Sequence, residues 1–377
     1  MLKGNLLREL NLETSNSPLG LAGCGDRRHG TGSPVNLPNW LPCEPVRLDG
    51  ALIRFSICPV MPFRLDLTVW ALRRRSMNAV DLWDGETYRR VLAVDDKPVL
   101  VAVTQQATML DITVTGEDLP PTAEQAARFA LDRLLGISLD LSEFYEFTPR
   151  HARLNQLAMR FRGLKPPRFA TVFEGLVNGI TCQQLSLTVG IIFLNRIAER
   201  CGLAFGLGMY AFPRPEDLAH LDSKDLRPLG YSSSKARAII EVARAIVEGR
   251  LDLEGLVQLD NRPCVERLVA IRGVGRWTAE YVLLRGLGRT TVFPGDDVGA
   301  RNNLERWLRL RNRLDYERVQ KVLHKWKGYG GLIFLHLLLK SLDDAGSLEV
   351  YHASCRNRSR AGQSETTLSG DSTCEIR

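Results

Sequence analysis

The sequence predicts an α+β protein: a small N-terminal mixed α/β domain with an antiparallel sheet, followed by a mainly α-helical core. Three observations lead there. β-Branched runs bounded by Asp, Gly and Pro dominate from about residue 50 to 117. From about 142 to 342 the apolar residues recur at helical spacing instead. Gly202, Pro213-Arg-Pro215 and Gly230 fall between the periodic segments, where breakers belong.

In chain order, residues 1–47 are rich in Gly, Asn, Ser and Pro without a sustained period, and read as a disordered leader. Residues 48–140 form the α+β domain. Its strands are expected at Leu52–Cys58, Tyr88–Val94, Val99–Val103 and Leu110–Val114, with one helix beginning near Pro62 and another over 122–135. Residues 141–344 form the helical domain, with helices expected at 168–182, 185–201, 233–248, 263–271, 276–286, 297–309, 316–326 and 330–342. Within it, Leu226–Ala236 reads as a helix–turn–helix with Ser232 as the N-cap candidate. Residues 345–377 turn polar and read as a disordered tail whose Arg356, Arg358 and Arg360 can touch a polyanion.

Composition bounds the function. The 377 residues, 44% hydrophobic and 25% charged, are ordinary for a globular chain, and the net charge of +7 suits a polyanionic partner. The eight cysteines (Cys24, Cys43, Cys58, Cys182, Cys201, Cys264, Cys355, Cys374) follow neither a zinc pattern nor a disulfide framework. Reduced thiols and a cytoplasmic setting are therefore expected. No apolar run reaches membrane-spanning length, since Leu332–Leu339 is short and contains His336, and no signal-peptide core opens the chain. Without a coiled-coil repeat, a monomer with no membrane association is expected.

The string Leu268-Val-Ala-Ile-Arg-Gly-Val-Gly-Arg-Trp277-Thr-Ala-Glu-Tyr281 carries the most information. Val265, Leu268, Val269 and Ile271 give a short amphipathic helix, and Arg276 onward reads as a second. Gly273 and Gly275 frame the turn between them, where glycine accepts positive φ and close approach of a partner. A glycine turn opening a helix presents unpaired N–H groups that suit a phosphate oxygen. An αα-hairpin whose glycines only let two helices pack fits the same residues. Downstream, Asp296 and Asp297 follow Pro294-Gly295 and precede a helix. One of them is expected to be its N-cap, and Asp296 is assigned that part. Asp297, facing a cleft beside the hairpin, would stabilise a cationic sugar and orient a water against it. Capping alone would also explain a lone Asp-Asp pair.

Taken together, the hairpin, the Gly/Pro loop and the aspartate resemble the helix-hairpin-helix (HhH-GPD) DNA glycosylase superfamily, over roughly residues 50 to 342. Within it the chain most resembles the 3-methyladenine DNA glycosylase II (AlkA-like) branch. The resemblance implies a helix-hairpin-helix glycosylase core and double-stranded DNA containing damaged bases as partner. It also implies a hairpin of Arg272, Gly273, Val274 and Gly275 gripping backbone phosphate, and Asp297 as the catalytic aspartate. Bifunctional relatives carry a lysine nucleophile two residues after the second glycine. Trp277 stands there in this chain and cannot form a Schiff base, so hydrolysis by water is expected. The four-cysteine cluster of the iron–sulfur relatives is missing after Asp297.

A glycosylase holds its flipped base between flat or apolar side chains. Trp277 and Tyr281, four apart on one helix face, are expected to form a base-binding wall, although aromatics at that spacing also serve cores. Such a wall attracts a cationic base by about 0.5–2 kcal/mol, which fits alkylated purines. Trp70 is a looser candidate for a second wall, with a core position as its alternative. By the resemblance Gln183 and Gln184 sit where side chains enter the duplex, although the familiar wedge is apolar and a solvent-exposed helix end explains them equally. Leu338 occupies a position where the branch usually has a pocket tryptophan, and Lys327–Gly331 replaces a turn containing proline and arginine. These departures bear on which lesions fit. No cofactor is expected, apart from a monovalent cation at the hairpin carbonyls. If the chain is prokaryotic a nucleoid association follows, and if eukaryotic a nuclear one. The function so expected is monofunctional base excision of alkylated, 3-methyladenine-type bases. A catalytically silent DNA-binding module, or a glycosylase for oxidised or deaminated bases, are the alternatives.

Overall fold

The computed structural model describes residues 50–348 apart from 207 and 327. The leader 1–47, the tail beyond 348 with Arg356, Arg358 and Arg360, and Cys24, Cys43, Cys355 and Cys374 lie outside the described residues.

The first elements are β1 (Ala51–Ile57), α1 (Leu65–Arg73), β2 (Leu82–Trp83), β3 (Thr87–Val94), β4 (Lys97–Gln106), β5 (Met109–Gly116) and α2 (Ala123–Leu135). The strands make one antiparallel sheet in the order β1-β5-β4-β3-β2. Alternation sets its register: Val101 lies opposite Val114, and Phe55 opposite Ile112. The β3–β4 hairpin turns on Asp95 and Asp96, both at positive φ (47° and 61°), the turn sense that matches strand twist.

Helices follow almost throughout: α3 (Ser142–Phe147), α4 (Ala152–Arg160), α5 (Val172–Cys182) and α6 (Leu187–Cys201). After a small ribbon, β6 (Ala204–Gly206) with β7 (Met209–Tyr210), come α7 (Pro215–Ala219), α8 (Ser223–Leu226), α9 (Ser233–Val247), α10 (Asn261–Val269), α11 (Arg276–Arg285), α12 (Val298–Leu308), α13 (Tyr316–Leu323) and α14 (Gly330–Asp344). The helix expected from residue 168 begins at Val172. Arg168 N and Phe169 N donate instead to the carbonyls of Arg133 (3.0 Å) and Arg285 (2.7 Å), and the Thr171 hydroxyl caps the helix by accepting from Glu174 N at 3.0 Å. Ser186 caps α6 and Ser232 caps α9 in the same way. Short α3, α7 and α8 are too brief to give a periodic signal, while the nine-residue α4 is a helix the sequence reading did not include.

Among the described residues there are two large apolar cores and a small third one around Val91, Leu100 and Ala211. One joins the sheet and α1–α4 to α12–α14, through residues such as Val101, Leu131, Phe144, Leu304 and Ile333. The other large core lies among α5–α11, through Leu176, Ile191, Ile239, Leu268 and Val282. The segment from α11 to α12 thus passes from one core to the other. Buried guanidinium groups tie the same boundary. Arg90 on β3 bridges Asp81 (2.7 Å) and Glu174 of α5 (2.6 Å), all three side chains being under 5% exposed. Burial works against its charge, but the two carboxylates outweigh that and hold Arg90 well above its ordinary pKa. Arg285 of α11 donates to the Ala71 carbonyl of α1 at 3.1 Å. No described helix is long and apolar enough to cross a membrane.

Candidate active site

The hairpin sits between α10 and α11. Val274, 5% exposed, anchors its turn in the helical core, and Val274 N donates to the Ile271 carbonyl at 3.1 Å. The two glycines differ. Gly273 has φ +83°, and a Cβ there would meet the Ala238 methyl at 2.9 Å, so backbone and packing both require glycine. Gly275 has φ −98°, and a Cβ on it would meet nothing within 4 Å. The expectation of positive φ therefore holds for the first glycine only. Gly275 is the N-cap of α11 and supplies no capping side chain, so the helix's first N–H groups are left without a side-chain cap. Arg272 is exposed, with Glu241 3.9 Å away.

Gln183 and Gln184, adjacent in sequence, do different things. Gln183 Nε2 donates to the Gly273 carbonyl (2.8 Å) and to Thr278 Oγ1 (2.9 Å), bracing the hairpin from α5. Gln184 is exposed and sits at φ +55°, a left-handed conformation unusual for a residue with a side chain. Lys235 Nζ pins this bend by donating to the carbonyls of Thr181 (2.9 Å) and Gln183 (2.6 Å), and burial lowers its pKa. The hairpin carbonyls of Ile271 and Gly273 each accept one hydrogen bond and keep one lone pair. These are the carbonyls that could hold the monovalent cation expected at the hairpin.

The expected cap was Asp296, and the structure gives that part to its neighbour. Asp297, not Asp296, is the N-cap of α12: its Oδ1 accepts from Ala300 N at 2.7 Å. Asp296 instead accepts from Arg276 Nε at 2.7 Å. The cause is local: Asp297 N donates to the Pro294 carbonyl, closing a turn that puts the second aspartate at the helix start. Asp297 Oδ2 accepts from Trp277 Nε1 at 3.0 Å. Each carboxylate oxygen thus takes one hydrogen bond, which fixes its plane while the residue stays partly exposed.

Trp277 is half-buried, and its ring stacks on Tyr281 with centroids 5.6 Å apart and planes inclined by 24°. Tyr281 itself is only 5% exposed. It therefore backs Trp277 rather than offering a second open face. Arg74 Nη1 donates to the Tyr281 hydroxyl at 2.9 Å and Nη2 to Asn178 Oδ1 at 2.7 Å. Burial raises the Tyr281 pKa and keeps the phenol neutral. Trp70 is not a wall: it is 3% exposed in the sheet-side core, with the Arg73 guanidinium 5.3 Å from its ring. Leu338 on α14 is partly buried against that core. Sequence reasoning missed Arg74, Lys235 and Glu280. Only Glu280 left a trace, standing four residues after Arg276 on one face of α11.

Comparison with known proteins agrees with this geometry. The family described as HhH-GPD superfamily base excision DNA repair protein matches residues 177–328. The Bacillus subtilis protein YfjP is 34% identical over 170 residues, covering 44% of this chain and 58% of the relative, so the match spans little more than half that relative's length. DNA-3-methyladenine glycosylase 2 of Escherichia coli is 26% identical over 270 residues, 71% of this chain and 90% of the relative. Among solved structures, a 3-methyladenine DNA-glycosylase from Archaeoglobus fulgidus superposes with a TM-score of 0.66 at 26% identity, covering 76% of this chain and 97% of that one.

Proposed function

The chain belongs to the HhH-GPD superfamily, and on that premise we propose that it is a monofunctional DNA glycosylase of base excision repair. It hydrolyses the N-glycosidic bond of alkylated, 3-methyladenine-type bases in duplex DNA. The observation that carries this reading is the placement of Asp297. A partly exposed carboxylate at a helix start is oriented by Trp277, beside a hairpin whose second glycine faces open space. The names of the Escherichia coli and Archaeoglobus fulgidus relatives support the same substrate class.

In this mechanism the N–H groups that open α11 and exposed Arg272 hold backbone phosphate without reading sequence. Gln184, projecting from its strained bend, fills the gap left by the flipped nucleotide. The extruded base stacks on Trp277, with Leu338 bounding the pocket from α14. As the C1′–N bond breaks, Asp297 stabilises the cationic sugar; water adds its hydroxide to C1′ and releases its proton, leaving free base and an abasic site. No amine stands at position 277, so the strand stays intact. The protein acts as a monomer.

The test is release of methylated base from alkylated duplex by wild type and by Asp297→Asn. Wild type should release base without nicking the strand, and the variant should lose about 100-fold or more in rate. Equal release would overturn the mechanism. Since Oδ1 of Asp297 is a genuine helix cap, the second reading is a silent DNA-binding module. It predicts salt-dependent duplex binding with no release from any lesion.

A further inference from the structure

The segment Pro294–Asp297 is held by the first turns of α11 at three successive points. Trp277 takes Asp297, Arg276 takes Asp296 at 2.7 Å, and Glu280 Oε2 accepts from Gly295 N at 3.0 Å. Arg276 and Glu280 are four apart and share a helix face. From the other side comes α13. Tyr316 donates its hydroxyl to Glu280 Oε1 at 2.7 Å, and its ring lies 3.7 Å beneath the Arg276 guanidinium. A Cβ on Gly295 would meet the Tyr316 ring at 2.7 Å. The backbone of the segment is therefore pressed against that ring.

Glu280 is the unusual member. It is 7% exposed and its carboxylate bonds to no cationic side chain, although the Arg276 charge acts on it from the same helix face. Burial raises its pKa, opposed by the Tyr316 and Gly295 hydrogen bonds and by Arg276. A buried carboxylate without a cation in contact is costly. Both its oxygens are spent on the Gly295 N–H and on the Tyr316 hydroxyl, so its contacts serve the aspartate segment and little else.

We propose that Glu280, locked by Tyr316, is a positioning residue: through Gly295 it fixes where the Asp297 carboxylate stands, and Arg276 holds the intervening Asp296. This rests on Asp297 acting in the reaction, as proposed above. A displacement of about 1 Å in such a group costs on the order of 100-fold in rate, so the clamp sets rate rather than affinity.

The experiment is a double-substitution cycle on the full chain, reading single-turnover base release from a methylated duplex and, separately, duplex Kd. Glu280→Gln leaves one acceptor oxygen for Gly295 N and obliges the Tyr316 hydroxyl to turn round and accept from the new amide, so it should slow release about tenfold with Kd unchanged within about twofold. Placed on Asp297→Asn, it should add no further loss, because its effect passes through that carboxylate. Tyr316→Phe removes only a hydroxyl and should give a smaller slowing with the same non-additivity; it serves if Glu280→Gln fails to fold. Release by Glu280→Gln and Tyr316→Phe at the wild-type rate, or losses that multiply with that of Asp297→Asn, would overturn the clamp while leaving the glycosylase reading intact. Wild-type release by Asp297→Asn itself would overturn both.

Discussion

Replacing Asp297 by Ala and by Asn separates its two parts. Alanine removes the cap on Ala300 N and the acceptor for Trp277 Nε1. The cap is worth about 1 kcal/mol, and the second bond about another 1 kcal/mol, since half-buried Trp277 can turn to water in its place. Alanine should therefore cost about 2 kcal/mol. Asparagine keeps one acceptor oxygen for these two donors and should cost about half as much. Stability thus ranks wild type, Asn, Ala, with melting temperatures falling by a few degrees in that order. If the carboxylate stabilises a cationic sugar, activity does not follow that ranking. Asparagine, nearly isosteric but uncharged, should be almost as inactive as alanine, about 100- to 1,000-fold below wild type. Thermal unfolding and single-turnover base release on the same preparations give both series. An Asn variant retaining a large part of wild-type activity, with loss of rate tracking loss of stability, would reduce Asp297 to a cap and refute the reasoning.

The hairpin glycines should part company. Gly273→Ala meets both a positive φ and the Ala238 methyl, costing about 2–3 kcal/mol by denaturant unfolding. Gly275→Ala meets no steric obstacle and should cost only about 1 kcal/mol, as an N-cap substitution, yet weaken duplex binding about tenfold by filling the space a phosphate needs. Trp277→Phe keeps a stacking ring but removes the donor to Asp297 Oδ2. It should slow base release about tenfold and lower the melting temperature by a few degrees at most, since the lost bond is worth about 1 kcal/mol. His336 is 1% exposed, and burial lowers its pKa to about 4. Its folded pKa lies below the unfolded value, so its contribution is full above about pH 6.5 and is lost as pH falls toward 4, by about 3 kcal/mol. Chemical denaturation of wild type against His336→Phe should show a steeper acid decline in wild type, and parallel curves would refute it.

Local and tertiary parts of the site differ in how legible they were. The hairpin could be read because its signal is local: two glycines between two amphipathic stretches, with Val274 between them turned into the core. The strands and long helices were legible for the same reason. The identity of the cap was not. Asp296 and Asp297 are chemically identical, and the choice rests on the turn closed by Asp297 N onto Pro294. Trp70 carries the same side chain as Trp277 but folds into the sheet-side core, a matter of which face of α1 meets the sheet. The Glu280–Tyr316 contact joins residues far apart on different helices, and no pattern within one sequence encodes it.

The expected preference for cationic bases rested on two electron-rich rings, and the geometry redistributes that weight. Only Trp277 keeps exposed ring surface, because Tyr281 is covered by it on one side and lies 6.2 Å from the Phe169 centroid on another. Moreover, Tyr281 accepts from the buried Arg74 guanidinium, and a fully buried Arg285, its pKa lowered to about 10 by burial, stacks over Phe169 at 5.1 Å. Positive charge behind the wall draws electron density from the phenol and opposes a second cation in front of it. The cation–π attraction available is therefore that of a single tryptophan, about 0.5–1 kcal/mol at a partly exposed site. What remains to favour a cationic lesion is the Asp297 carboxylate, bonded to the same indole from its edge. Selection for charge and stabilisation of the transition state then depend on one group, so a change that displaces Asp297 should lower both together.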